Sequence, residues 1–246
     1  MKITYLGTSH GVPTETRFTT SFLLQVGDNS YIIDAGAPIA SLLLKHNVDL
    51  QSIKAMFITH YHMDHILGGF EFMALSNFFY KETDYDVYLP EQSAIDDTKH
   101  IINATCYHQF SGEDNVRLKR YDESFCYDDG TIKLTVVPTL HLSVSNRPSY
   151  AFIIETEGKR LMFTGDLAAY LEDFPEELYE KHFDYLCIEC SHPTVDNLRG
   201  KLKGIKCDII AVTHIYPNEK IPQILKFNDE MTAKVTVPDD NDILIL

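Results

Sequence analysis

Hydrophobic residues fall in short runs separated by turn residues. Ile3–Leu6, Ser21–Val26 and Tyr31–Asp34 read as strands. "AGAPIASLLLKH", which follows Asp34, reads as a turn and then a helix with Pro38 near its start. Ile53–Thr59 is almost wholly apolar, the pattern of a strand covered on both faces. Ile66–Tyr80 reads as a mostly apolar helix, Val87–Leu89 as a short strand, and Glu91–Ala104 as a helix after Pro90. From Cys106 to Gly130 the chain is polar and aromatic with no clear period, and a lid or a homodimer face is expected there. Strands resume at Ile132–Pro138, Tyr150–Glu155, Arg160–Thr164, Tyr185–Glu189, Asp208–Thr213 and Ile243–Leu246. Short helices are expected at "FPEELYEKH" and "EKIPQILKF". The series implies a layered, sheet-rich α/β or α+β domain rather than a regular alternation of strands and helices.

Composition narrows this picture. The chain has 246 residues, 44% of them hydrophobic, enough for a sizeable core. With no repeat, linker or low-complexity tract, a single domain over residues 1–246 is expected. "KITYLGT" after Met1 reads as a strand and not as a signal peptide. No apolar run approaches the roughly 18–20 residues of a membrane span, so a cytoplasmic protein is expected. The formal net charge is −15, and the one basic cluster, Arg199 to Lys206, reads as a solvated face. No strong nucleic-acid-binding surface is therefore expected. A small anionic substrate stays open, because a metal site supplies local positive charge whatever the global sum. Cys187 and Cys190 form a CxxC, but it lies in an apolar run and reads as two buried thiols.

The chemistry concentrates in "ITHYHMDHILGG", Ile58 to Gly69. His60, His62, Asp64 and His65 crowd between an apolar strand and an apolar helix, where each needs a hydrogen-bond partner or a metal. In extended backbone His60 and His62 point to one side and can reach one ion. Asp64 and His65 follow the turn, at the helix start, and address a neighbouring position. Imidazoles with a carboxylate suit zinc first, and Mn, Fe or Ni as well, over Ca or Mg. Two divalent ions about 3.5–4 Å apart would clamp and activate one water. Further ligands must come from other strand ends. His141 in "VVPTLHLS", Asp166 in "LMFTGDLA" and His214 in "IIAVTHIYP" all follow apolar strands. Asp166 is placed to bridge. Asp34, in "YIIDAG", is expected to hold a ligand histidine in its tautomer. His46, His100, His108 and His182 read as surface or structural residues, and His10 and His192 as nearer the chemistry.

"THYHMDH", a later isolated histidine, "TGD" and "VTH", in this order from Gly7 to about His214, resemble the motif set of the metallo-β-lactamase superfamily. The resemblance implies an αββα four-layer sandwich. It implies that His60, His62 and His141 bind one ion, that Asp64, His65 and His214 bind a second, and that Asp166 bridges them. Asp64 would also orient or deprotonate the attacking water. The opening "YLGTSHGVPTETRFTTSFLL" and the segment "IECSH" are similar to the ribonuclease Z and cyclic-phosphodiesterase branch. That likeness places Gly7, Thr8, Ser9 and His10 in a loop near the metals.

Two departures stand out. There is no Gly/Pro/Lys-rich insertion like the tRNA-gripping arm of ribonuclease Z. Nor is there an isolated histidine between "IECSH" and "VTHIYP", unless His192 takes that place. With the acidic charge, these favour a small or short phosphodiester over a tRNA precursor. The competing readings are hydrolysis of a lactone, ester or thioester at the same site, and a non-catalytic sensing domain. Tyr150, His192, Ser9 and His10 are the candidates to touch substrate or protonate its leaving group. Arg17 reads first as a surface ion pair and second as a phosphate ligand.

Overall fold

The computed structural model of the chain describes residues 1–106 and 109–246. His108, expected at the surface, lies outside them. Two seven-stranded sheets face each other. The first contains β1 (Lys2–Gly7), β2 (Ser21–Val26), β3 (Asn29–Ala35), β4 (Ile53–Phe57), β5 (Tyr85–Leu89), β6 (Val116–Arg120) and β14 (Ile243–Ile245). The second contains β7 (Cys126–Asp128), β8 (Lys133–Pro138), β9 (Tyr150–Thr156), β10 (Lys159–Phe163), β11 (Phe183–Cys190), β12 (Cys207–Ile215) and β13 (Lys234–Thr236). The orders are β14-β1-β2-β3-β4-β5-β6 and β13-β12-β11-β10-β9-β8-β7. Each sheet has three antiparallel pairings along one half and three parallel pairings along the other.

Three apolar layers hold the sandwich together. Between the sheets, Phe22, Phe57, Phe152, Phe163 and Tyr185 interdigitate. On the outer face of the first sheet lie α1 (Ile39–Lys45), α2 (Met63–Phe78) and α3 (Gln92–Thr105), packed through residues such as Leu43, Phe72, Met73 and Ile102. On the outer face of the second lie α4 (Glu177–Glu180), α5 (Val195–Leu202) and α6 (Ile221–Leu225), packed through Leu178, Leu198 and Ile224. The result is the expected αββα sandwich, an α+β fold. The apolar runs of β4 and β11 follow from this, because both faces of these strands are covered. Among the described residues, no helix is long and apolar enough to cross a membrane.

Of the two expectations for the segment from Cys106 to Gly130, the lid needs correction. The described part of the segment is no lid: Val116–Arg120 and Cys126–Asp128 are edge strands, one in each sheet. Tyr121, Phe125 and Tyr127 serve the inter-sheet core, where Tyr121 packs against Tyr150 and Phe125 against Tyr88, while Phe110 packs under the helices of the first sheet. Edge position explains the missing signal, since "VRLKR" and "CYD" expose one side and carry charge there.

Two glycines set the position of α2. A Cβ on Gly36 would lie 1.7 Å from the carbonyl oxygen of Asp64, and one on Gly68 would lie 1.7 Å from that of Ala37. Only glycine lets the end of β3 pass this close to the first turns of α2. That contact fixes Asp64 and His65 over the sheet edge. The helix begins at Met63, three residues before the expected start, with His62 as its N-cap.

Candidate metal centre

The C-terminal ends of β3, β4, β10, β11 and β12 meet at one edge of the sandwich, and the loops after β1 and β8 open onto the same edge. His60 and His62 follow β4, Asp64 and His65 sit in the first turn of α2, His141 follows β8, Asp166 follows β10, and His214 is the penultimate residue of β12. All seven expected ligands converge. His60, His62, His141 and Asp166 each offer one atom within 4.8 Å of the others, and so do Asp64, His65 and His214. In the first set His141 Nε2 lies 3.2 Å from His62 Nδ1. In the second His214 Nε2 lies 3.2 Å from Asp64 Oδ2.

Asp166 stands between the two sets. Its Oδ2 is 3.8 Å from His60 Nε2 and 3.6 Å from His141 Nε2. Its Oδ1 is 3.3 Å from His65 Nε2 and 3.4 Å from His214 Nε2. One oxygen faces each set. Among the described residues His60 Nε2, His65 Nε2 and Asp166 Oδ1 are buried without a hydrogen-bond partner. Three such atoms turned toward one point are costly in an empty interior and natural around a cation. The donor set fits divalent metal binding.

Asp34 supports both sets from beneath. Its Oδ2 accepts the Nδ1–H of His65 at 2.8 Å, and its Oδ1 accepts the backbone N–H of Thr59 at 2.8 Å. The Thr59 hydroxyl donates to the same carboxylate, 2.9 Å from Oδ2. That leaves the hydroxyl oxygen, 3.2 Å from His60 Nδ1, as acceptor for His60. Both imidazoles are thereby held with Nε2 free and turned to the centre. Asp34 was expected in this place, and Thr59 was not.

Glu189 is the other buried carboxylate that sequence reasoning passed over. It is the penultimate residue of β11, inside an apolar run, which disguised it as strand interior. Oε1 accepts from the Leu167 N–H and from His192 Nδ1, both at 2.7 Å, and Oε2 accepts the N–H groups of Ser191 and His192 at 2.9 Å. His192 is thus fixed at the rim, its ring 4.5 Å from that of His141. Asp173, also unforeseen, joins the loops of Asp166 and His141 by accepting N–H bonds from Ala168 and Leu140.

The electrostatics divide the cluster. Burial, then the His65 imidazole, holds His60 well below the ordinary imidazole range, and burial also lowers His62 and His141. Burial alone would lower His65 and His214 too. Asp166 and Asp34 overcome it at His65, which is pushed well up, and Asp166, Asp64 and Glu189 lift His214 to about 10. Against burial, His214 and His65 bring Asp64 down to about 2 and Asp166 well below the carboxylate range. At His192, Glu189 outweighs burial and raises the imidazole.

The other candidates separate. His10 lies at the site, its ring 6.1 Å from that of His214. Ser9 is buried in the same loop with its hydroxyl given to the Val12 carbonyl at 2.8 Å. Tyr150 is not brought into the cluster: its ring packs on Tyr121 at 5.0 Å in the inter-sheet core. Arg17 pairs with Asp239 and donates to Thr8 Oγ1 and the Pro238 carbonyl, so it is a structural ion pair. Cys187 and Cys190 are buried free thiols, pushed by burial to about 12 and about 11. His182 pairs with Asp208 at the surface.

Comparison with known proteins agrees with this geometry. Over 70 residues the chain is 44% identical to a ribonuclease Z of Prochlorococcus marinus, a stretch covering 28% of this chain and 22% of that one. The Bacillus subtilis metallo-β-lactamase fold protein YhfI superposes with a TM-score of 0.77 at 17% identity, over 99% of this chain and 98% of that one. Human tRNase Z, short form, superposes with a TM-score of 0.73 at 17% identity, over 100% and 99%. The fold is therefore the metallo-β-lactamase fold, as the motif order implied. The family model of the anti-Pycsar protein Apyc1 matches residues 1–203, most of the chain, and the chain belongs to that family.

Proposed function

We propose that the chain is a metal-dependent hydrolase of small phosphodiesters, a cyclic nucleotide or a short phosphodiester of similar size. The observation that carries this reading is Asp166, whose two oxygens divide between two sets of imidazole nitrogens. That is what two ions acting on one water require. His60, His62, His141 and Asp166 would hold one ion, and Asp64, His65, His214 and Asp166 the other, with zinc the first choice. Bound there, the pair supplies a water that ionises near neutral pH and neutralises charge growing on the phosphoryl oxygens.

The chain's own groups do the rest. Asp64 lies next to His214 and orients the attacking water and takes its proton. His192 protonates the leaving oxygen: its Nδ1–H is committed to Glu189, so the Nε2–H of the imidazolium is the proton it gives. Small size fits the charge. The net charge is −15, and Arg17, Arg117, Arg147 and Arg160 are each tied to a carboxylate, which leaves them poor at tracking a polyanion. The lactone or ester alternative needs an oxyanion donor. Tyr121 gives its hydroxyl to the Ile58 carbonyl at 2.6 Å and so does not serve as that donor.

The test is a substrate panel on protein of known metal content: a nitrophenyl phosphodiester, a 3′,5′-cyclic nucleotide and a set of lactones and thioesters. Turnover of the lactones alone sinks the phosphodiester reading. His192→Ala should lower kcat on the cyclic nucleotide by about 10²–10⁴-fold. It should spare the nitrophenyl ester, whose leaving group departs without a proton.

A further inference from the structure

The loop from Thr8 to Thr20 is fastened more firmly than a connection between two strands needs. Asp240 Oδ1 accepts the backbone N–H and the hydroxyl of Thr8 at 2.9 and 2.7 Å, and its Oδ2 accepts the Phe18 N–H at 2.5 Å. Arg17 adds bonds to Thr8 and to the Pro238 carbonyl. Within the loop, Ser9 N–H donates to the Phe18 carbonyl at 2.7 Å, and the Val12 N–H donates to His10 Nδ1 at 3.3 Å. The far side is tied down as well, since the His214 N–H donates to the Thr8 carbonyl at 2.8 Å. The clasp residues Pro238–Asp240 lie beyond the part of the chain that the family model matches.

This fastening holds His10 in one place, against Tyr216. The two ring centroids are 4.2 Å apart and the planes are tilted by 46°. Tyr216 follows His214 by two residues and is 55% exposed. The Thr8–Thr20 loop also runs over the second ligand set, where a Cβ on Gly11 would sit 3.5 Å from Asp64 Oδ2. Neither His10 nor Tyr216 has work in the hydrolytic steps above. A preorganised, half-open aromatic pair beside the reacting centre offers a π-face at low entropic cost.

We propose that His10 and Tyr216 form a ledge that stacks a planar aromatic ring, such as a nucleobase, carried on the phosphate-bearing substrate. The inference rests on the phosphodiester reading and names the group that the substrate presents on the side of Asp64, His65 and His214. Stacking is indifferent to which base is offered, because every base has a π-face. The ledge therefore selects for a ring and not for a base identity.

The experiment compares competitive inhibition by nucleoside 5′-monophosphates and by ribose 5-phosphate, which lacks the ring, on the metal-loaded protein. The nucleotides should bind about 5- to 150-fold tighter than ribose 5-phosphate, the range one stacked base is worth. Tyr216→Ala should remove most of that preference and leave ribose 5-phosphate binding and metal content unchanged. Tyr216→Phe should retain it, since the ring and not the hydroxyl does the work. Equal affinities in the wild-type protein, or a preference that survives Tyr216→Ala, overturn the ledge while leaving the phosphodiester reading in place. Failure of both phosphates to inhibit, with a lactone turned over, removes the phosphodiester reading and the ledge with it.

Discussion

Asp34 and Asp166 occupy matching places in the two sheets. Asp34 is the penultimate residue of β3, which pairs antiparallel with β2 and parallel with β4. Asp166 follows β10, which pairs antiparallel with β9 and parallel with β11. Both carboxylates are buried at the same edge. Their surroundings differ in one respect. Asp34 has every oxygen engaged by protein donors from Thr59 and His65, whereas Asp166 Oδ1 has no donor and faces two imidazole nitrogens. A saturated carboxylate orients its neighbours, and an unsaturated one is left to bind an ion. Position in the fold does not separate the two roles; the count of donors does.

The strongest way to break that comparison is Asp166→Ala. It should empty both ligand sets, seen by elemental analysis of the purified variant. Turnover should fall by about 10³-fold or more, from the several kcal/mol that metal assistance supplies at 1.36 kcal/mol per decade. Asp34→Asn should cost less, about 10–100-fold in metal affinity, because the amide nitrogen cannot accept the His65 N–H yet removes no ligand. Titration of the metal-free proteins with zinc, read by calorimetry, separates the two. If Asp34→Asn empties the centre as completely as Asp166→Ala does, the distinction between saturated and unsaturated carboxylates is wrong.

The same contrast explains what the sequence disclosed. His60, His62, Asp64 and His65 were legible because they are contiguous and out of place between apolar elements. His141, Asp166 and His214 were legible because each interrupts the end of an apolar strand. Asp34 was readable by its place at a strand end, although its saturation by donors was not. Glu189 escaped because it is a carboxylate in an apolar run; three of its bonds stay within Ser191 and His192, and the fourth reaches Leu167, 22 residues away. Asp173 and Asp240 escaped because each has a distant partner: Leu140 lies 33 residues from Asp173 and Thr8 lies 232 from Asp240. Tyr150 was over-read, since a strand-borne tyrosine near motif residues can face either side of the sheet, and this one faces the core. The strands at Val116–Arg120 and Cys126–Asp128 carried too few apolar positions to register, because edge strands bury so little.

Thr59→Val makes the finest cut. The substitution keeps the Thr59 N–H bond to Asp34, and it keeps the shape of the side chain. It removes the hydroxyl that accepts from His60 Nδ1 and donates to the Asp34 carboxylate. His65 retains its direct bond to Asp34, so its tautomer stays fixed. Only His60, in the ligand set with His62 and His141, loses its orienting partner. Losing one net hydrogen bond of about 1 kcal/mol corresponds to roughly fivefold weaker binding of one metal equivalent. The second equivalent should be unchanged in the same titration. Equal weakening of both equivalents would mean that Thr59 acts through Asp34 and not on His60. The relay from Asp34 through Thr59 would then carry no selective influence on its ligand set.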